Sequence, residues 1–385
     1  MSHQNGFKSS DTVKMLTSNL RMMISDGNLY IRAITIAVVG PSAVVLAGYN
    51  KYTCTLLIWF FFFFGMLEWS GLKRHIKMSL AMGLQNKGEN MPFESLPKEY
   101  TTPIVPNEKF AFFTTLISSF LPIAACAGAE FFVAFLVLYF LAWCFCTLWG
   151  NGDGECIMFI FDKVMGRSKN LAVTSKKKSF KVNETESKVL QTFLYEELRL
   201  KAKREPLELF LNFCLEYFGF IWVTGVTFPL LVYDYTPVGK PWILASLVGN
   251  FSVDIVALLV GRALKGKTYP LCSSISPQKS LEGALFGIIA NAVVFASILH
   301  FSCVSYVGLS LPQYYSYFVN LAFGLVLGVS GVTGDLLQSL LKRAAHVKDS
   351  GMLMPGHGGV LDRIDGLLLV FPTMYVCLRL IVGFA

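Results

Sequence analysis

Long apolar runs alternate with short polar ones along the chain, and nine of the runs could cross roughly 30 Å of hydrocarbon as helices of about 20 residues. They lie at approximately 29–49, 53–72, 110–128, 130–149, 209–232, 241–263, 283–307, 313–341 and 366–385. The pattern predicts an all-α integral membrane protein of about nine transmembrane helices. It divides into a polar tail (1–28), a four-span N-terminal region (29–149), a polar insert (150–206) and a five-span C-terminal region (207–385). Composition agrees, since 54% hydrophobic residues, 15% charged residues and a mean hydropathy of +0.54 exclude an ordinary soluble domain. Met1 to Asn28 lacks the apolar core and small-residue cleavage pattern of a signal peptide, so the first run is expected to remain as a span.

Charge placement orients the spans. Lys73, Arg74 and Lys77, then Lys176 to Lys178, Lys265 and Lys267, and Lys342, Arg343 and Lys348 follow even-numbered spans, whereas the short odd connections hold only Lys51 and Lys240. The positive-inside rule therefore places the N-terminus and the even loops in the cytoplasm and the C-terminus outside. In the insert, Leu190, Phe193, Leu194 and Leu198 recur at helical spacing after a Lys-rich stretch. That helix could lie on anionic head groups or pack on the bundle behind a solvated linker. The Phe60 to Phe64 run reads as lipid-facing bulk, and Glu68 as either solvated, Arg-paired or functional. Nine scattered cysteines without a CxxC pair give no metal or redox signal.

Chemistry concentrates between Gly334 and Asp365. If 334–349 is helical, Asp335, Ser339, Lys342, His346 and Asp349 share one stripe at i, i+4, i+7, i+11 and i+14. A polar face on a membrane-length helix should point into a water-filled cavity or the protein interior, where it marks a functional site. The stripe meets the turn Pro355-Gly356-His357-Gly358-Gly359, whose backbone N–H groups could approach a ligand. Asp362 then reads as an N-cap with Asp365 at N3, a helix start suited to anions. Carboxylates for Mg²⁺, cations for phosphate and a glycine turn are the parts of phosphoryl or nucleotidyl transfer. Asp335 stands out because burying it in an apolar helix without a cation costs several kcal/mol. A metal would supply that cation, with Asp362 the best second ligand; Asp349 could join them or pair with Lys342 or Lys348. His357 either holds the turn or touches phosphate. A second constellation comprises Asp254 inside span six and, after it, Arg262, Lys267, Ser276, Lys279 and Glu282. Its cations could rim a triphosphate or serve only as a topological anchor.

The run Ser339-x-Leu341-Lys342-Arg343, Lys348-Asp349 and Pro355-Gly356-His357-Gly358-Gly359-Val360-x-Asp362-Arg363-x-Asp365 resembles the signature of the phosphatidate cytidylyltransferase (CDP-diacylglycerol synthase) family. The lead-in Gly334-Asp335-Leu336 is closer to the bacterial branch, although Gln338 stands where Glu is usual and Met354 where Leu, Ile or Phe is usual. The stretch from Asp254 through Gly261-Arg262, Gly266-Lys267 and Ser276-Pro277-Gln278-Lys279 to Glu282-Gly283 also resembles that family, except that Ile255, Val256 and Ala257 replace its usual Ala-Tyr. Arg32 and Glu68 extend the likeness weakly toward the N-terminus.

The resemblance implies displacement at the α-phosphorus of CTP by phosphatidic acid, in a homodimer embedded in membrane lipid, with no nucleic-acid partner. It implies Mg²⁺ and a second metal ion on Asp335 and Asp362, with Asp349 a further candidate. Lys342, Arg343, Lys348, His357 and Arg363 are expected at the chemistry. Asp254, Lys267, Ser276, Lys279, Glu282, Ser339, Gly358, Gly359 and Asp365 are expected around the substrates. The site would face the cytosol of a bacterial inner membrane or an organelle membrane. Related membrane enzymes acting on other lipids, of the CDP-archaeol synthase or polyprenol kinase type, and a multi-pass transporter are the rivals. Cysteine-labelling should place 150–206 and 342–363 on the side of the N-terminus and Ala385 opposite; outward labelling at Lys176 to Lys178 would break this topology.

Overall fold

The computed structural model describes residues 41–85, 109–149, 206–235, 237–264, 268–302, 312–351, 353 and 358–382, most of them helical. Residues 41–49 lead into α1 (Lys51–Gln85), followed by α2 (Lys109–Ser118), α3 (Leu121–Ala127) and α4 (Ala129–Trp149). Next, α5 (Pro206–Thr224) passes through a 3-10 turn at Gly225–Thr227 into α6 (Phe228–Val232), and α7 (Gly239–Ala263) leads to strands β1 (Pro270–Cys272) and β2 (Ser276–Ser280). Then come α8 (Leu281–Phe301), α9 (Gln313–Ala344), α10 (Leu361–Ile364) and α11 (Leu367–Val382).

Among the described residues, six helical stretches are long and apolar enough to cross a membrane: Lys51–Lys77, Phe210–Val232, Gly239–Ala263, Leu281–Phe301, Ser316–Ala344 and Leu361–Ile381. Two shorter apolar stretches, Phe112–Ala127 and Ala129–Phe145, stand where the third and fourth spans were expected. The first of them is interrupted because Ser118 and Ser119 hydroxyls donate to the carbonyls of Thr115 (2.9 Å) and Leu116 (2.7 Å), and Pro122 opens the next helix. The expected span 29–49 lies outside the described residues as far as 40, as do the basic stretch and amphipathic helix of the insert.

Three local features refine the all-α expectation. The loop after α7 carries a small hairpin, β1 pairing antiparallel with β2, Pro270 opposite Ser280 and Cys272 opposite Ser276, within an otherwise helical bundle. Pro270 and Pro277 bar a helix there but suit a two-stranded edge. The polar stripe on α9 also ends early. His346 adopts φ 55°, its N–H donates to Arg343 O (3.0 Å), and Val347 N–H donates to Lys342 O (3.0 Å). This 5→2 and 6→1 pair closes the helix as a Schellman cap, leaving Asp335, Ser339 and Lys342 on α9 but His346 and Asp349 beyond it. Finally, Phe62 is not lipid-facing: it is fully buried and meets the Phe220 ring edge-on at 6.4 Å.

Of the C-terminal helices, α7 packs on α8, α9 and α11, and α9 on α8 and α11, while α1 packs on α5, α2 and α3 and touches α9 and α10. Trp69, Phe220, Trp242 and Phe295 fill the interior, whereas Ile255, Leu258 and Leu259 on α7 and Leu285, Phe286 and Ile289 on α8 face outward, as lipid contact requires. Breaks in the α5–α6 ladder are answered by hydroxyls, with Thr224 donating to Phe220 O (2.6 Å) and Thr227 to Thr224 O (2.7 Å). Ser280 caps α8 by accepting the Gly283 N–H at 3.1 Å.

Gly334 sets the distance between α9 and the start of α11. A Cβ there would lie 2.6 Å from Asp365 O and 3.2 Å from Gly366 Cα. Gly334→Ala should therefore force the two backbones apart at about 1–3 kcal/mol, read as a lower unfolding midpoint in detergent. Gly261→Ala, whose added Cβ meets only Ser280 Oγ at 3.5 Å, should leave that midpoint unchanged.

Candidate active site

Two charged clusters form at one end of the C-terminal bundle. In the first, Asp254 on α7, Asp335 on α9 and Asp365 between α10 and α11 interact electrostatically with one another. They come from two helices and a turn, and the close approach at Gly334 is what sets Asp335 beside Asp365. Lys279 on β2 forms an ion pair with Asp335 and also acts on Asp254, as does Arg363. Asp365 further accepts the Gly366 N–H at 2.8 Å and feels Lys342.

The second cluster surrounds Asp362, whose side chain is only 6% exposed. One carboxylate oxygen accepts from Lys342 Nζ at 2.8 Å, and the other accepts the N–H groups of Ser350 (2.8 Å) and Gly359 (3.1 Å). Gly358, at φ 82°, lies between two acids: a Cβ there would stand 3.2 Å from the Asp362 carboxylate and 3.4 Å from Asp349 Cβ. A side chain at that position would be strained as well as crowded.

The helix start does not offer its N–H groups to an anion as expected. Asp362 is not its N-cap but lies inside α10, whose cap position is Val360. The N–H of Gly359 is taken by Asp362, and those of Val360 and Leu361 by Glu68 at 2.7 and 2.8 Å. Protein carboxylates thus fill the place where a phosphate was expected.

The hairpin is tied to this face. Arg343 Nε donates to Ile275 O (3.2 Å), and Glu282 accepts the Tyr269 N–H with both oxygens (3.1 Å each), so Glu282 braces the hairpin from α8. Ser276 begins β2, Lys348 and Arg363 are exposed, and Ser339 is buried on α9. Lys267 and His357 lie outside the described residues. Two residues were undervalued from sequence. Glu68 reaches the turn from α1, and its signals were a carboxylate inside an apolar run and a weak family likeness around it. Gln338, where an acid is usual in the family resemblance, is fully buried and accepts from Trp222 Nε1 at 3.0 Å.

The donor chemistry fits a hard cation such as Mg²⁺, because among the described residues two further carboxylates accompany Asp335 and two flank Gly358, with no sulfur or imidazole beside them. Among the described residues, however, no three such groups already converge on one metal position. Asp335 and Asp362 sit in different clusters, each holding a lysine.

The two ion pairs differ in burial. Lys342 and Asp362 are 14% and 6% exposed, against 34% and 25% for Lys279 and Asp335. Lys342→Met should destabilise the protein by about 3–5 kcal/mol by stranding a buried carboxylate, and adding Asp362→Asn should recover part of it. Lys279→Met should cost under about 1 kcal/mol; detergent unfolding of the four variants checks the contrast.

The sequence model of the cytidylyltransferase family matches residues 30–381. A phosphatidate cytidylyltransferase of Bacillus subtilis (strain 168) is 43% identical over 143 residues, covering 37% of this chain and 49% of that protein. One from Helicobacter pylori (strain J99) is 40% identical over 145 residues, covering 38% and 48%. The chloroplastic phosphatidate cytidylyltransferase 4 of Arabidopsis thaliana is 38% identical over 153 residues, covering 39% and 36%. The chain thus spans about half or less of the length of these curated relatives. Since the family match takes in all six spans and both charged clusters, the chain belongs to the cytidylyltransferase family.

Proposed function

We propose that this protein is a phosphatidate cytidylyltransferase, joining CTP and phosphatidate to give CDP-diacylglycerol and pyrophosphate. The observation that carries this reading is the gathering of Lys279, Lys342, Arg343 and Arg363 with five carboxylates at one end of a membrane-spanning bundle, in a chain of this family. One substrate is a soluble polyanion and the other a lipid anion, so a cationic site at a bundle end suits both.

A phosphatidate oxygen attacks the α-phosphorus of CTP as the bond to the β-phosphate oxygen breaks, and pyrophosphate leaves with the electron pair. The nucleophile is already an anion at neutral pH, so no general base is needed. Lysine and arginine side chains neutralise charge and align the reacting groups. Lys279 and Lys267 are assigned to the triphosphate, and Lys342 and Arg343, at the end of α9, to the lipid phosphate. Mg²⁺, when bound, supplies further positive charge at the phosphates, and Asp335 with Asp254 and Asp365, and Asp362 with Asp349, are the carboxylates that would hold one or two such ions. Cytosolic orientation rests on the positive-inside pattern. A bacterial membrane is in keeping with the bacterial relatives, and a homodimer rests on the family resemblance alone.

Purified protein given labelled CTP, Mg²⁺ and a panel of lipid phosphates should label CDP-diacylglycerol with phosphatidate as acceptor. Asp335→Asn and Asp362→Asn should lower turnover by about 100-fold or more. Lys267→Met and Lys279→Met should raise KM for CTP more than for phosphatidate, with the opposite bias for Lys342 and Arg343. Preference for an archaeal or polyprenyl acceptor, or full activity in excess chelator, would overturn the assignment.

A further inference from the structure

We infer that Glu68, on the N-terminal helix α1, is a positioning residue that fixes the turn carrying Asp362, so that the N-terminal half of the chain helps to build the catalytic site. The carboxylate is 8% exposed and lies 282 to 293 residues from its partners. One oxygen accepts the Val360 N–H at 2.7 Å; the other accepts the Leu361 N–H at 2.8 Å and the Ser350 hydroxyl at 3.1 Å. Among the described residues no lysine or arginine pairs with it. Among the described residues these three donors answer its charge, and each bond is stronger for facing an ion.

The surroundings are shaped to admit that carboxylate. A Cβ at Gly359 would lie 2.6 Å from Glu68 Oε2, and one at Gly351 would overlap the same side chain. Gly359 belongs to the glycine-rich run that reads from sequence as a phosphate cradle; here the space its missing side chain leaves is taken by the Ser350 hydroxyl, the Gly351 N–H and Glu68. The helix beneath is held in rotation as well. Trp69 is fully buried and donates to Leu215 O at 3.2 Å, and Lys73 forms an ion pair with Glu216 on α5.

Glu68 and Asp362 interlock at one place. Glu68 holds the Ser350 hydroxyl and the N–H groups of Val360 and Leu361, while Asp362 holds the N–H groups of Ser350 and Gly359. Both ends of the segment from Ser350 to Leu361 are therefore pinned to the same two carboxylates. Asp362 also carries Lys342, so a shift of Glu68 displaces a carboxylate and a cation together. Among the described residues Glu68 itself forms no ion pair with the charged residues assigned to the substrates.

The kinetic part of this inference rests on the proposed cytidylyltransferase activity; the structural part does not. Glu68→Gln keeps the volume but puts an amide N–H₂ against N–H donors. It should lower kcat by about 100-fold, the scale of a misplacement near 1 Å, with KM for CTP and phosphatidate changed less than about threefold. Hydrogen exchange over residues 350–362 should quicken, with α7 and α8 unchanged. Glu68→Asp, which restores the charge, should recover at least about tenfold of the lost kcat. Should Glu68→Gln fail to fold, Ser350→Ala removes one bond and should give a smaller kcat loss with the same faster exchange. Wild-type kcat in Glu68→Gln, unchanged exchange in 350–362, or no recovery in Glu68→Asp would each overturn the inference. If wild-type protein makes no CDP-diacylglycerol, the proposed function fails while the exchange measurement still decides the role of Glu68.

Discussion

A carboxylate inside an apolar bundle must be met by a cation or by hydrogen-bond donors, because leaving it unpaired there costs several kcal/mol. That constraint governs the arrangement at the candidate site. Asp335 is met by Lys279, Asp362 by Lys342 and two backbone N–H groups, and Glu68 by two N–H groups and a hydroxyl. Each pairing crosses between elements, so meeting the charges also fixes how the hairpin, α9, α10 and α1 sit together. A site built this way brings its charges into register before any substrate arrives.

The irregular backbone serves the same end. Spanning segments tolerate breaks only where freed polar groups find other partners. The Schellman cap at His346 ends α9 so that Asp349 and Ser350 turn back toward Asp362. The hairpin carries Lys279 to Asp335 and is fastened by Arg343 and Glu282. The cap also buries Ala345 and Val347, and both devices place charged side chains that a straight helix would spread along its length.

Much of this was legible in the sequence. Hydropathy located the apolar segments because lipid admits few alternatives to a helix of sufficient length, and the described residues hold six such helices and two shorter ones. The residues between Gly334 and Asp365 announced a site because charges are costly at that depth. Asp254, Lys279, Asp335, Lys342, Asp362 and Asp365 do gather at one end of the bundle.

Periodicity could not reveal where α9 stops, since nothing short of the backbone hydrogen bonds distinguishes His346 in a left-handed cap from His346 on a continuing stripe. Nor could it divide the acids into an Asp335 cluster and an Asp362 cluster, a division made by the close approach of α9 to the 365–366 backbone at Gly334. The role of Glu68 lay furthest out of reach. A carboxylate in an apolar run signals that some partner exists, but a partner 292 residues away is named only when packing brings α1 against the turn. Local pattern fixes which residues must be buried or paired; which groups satisfy them is set by contacts between elements distant in the chain.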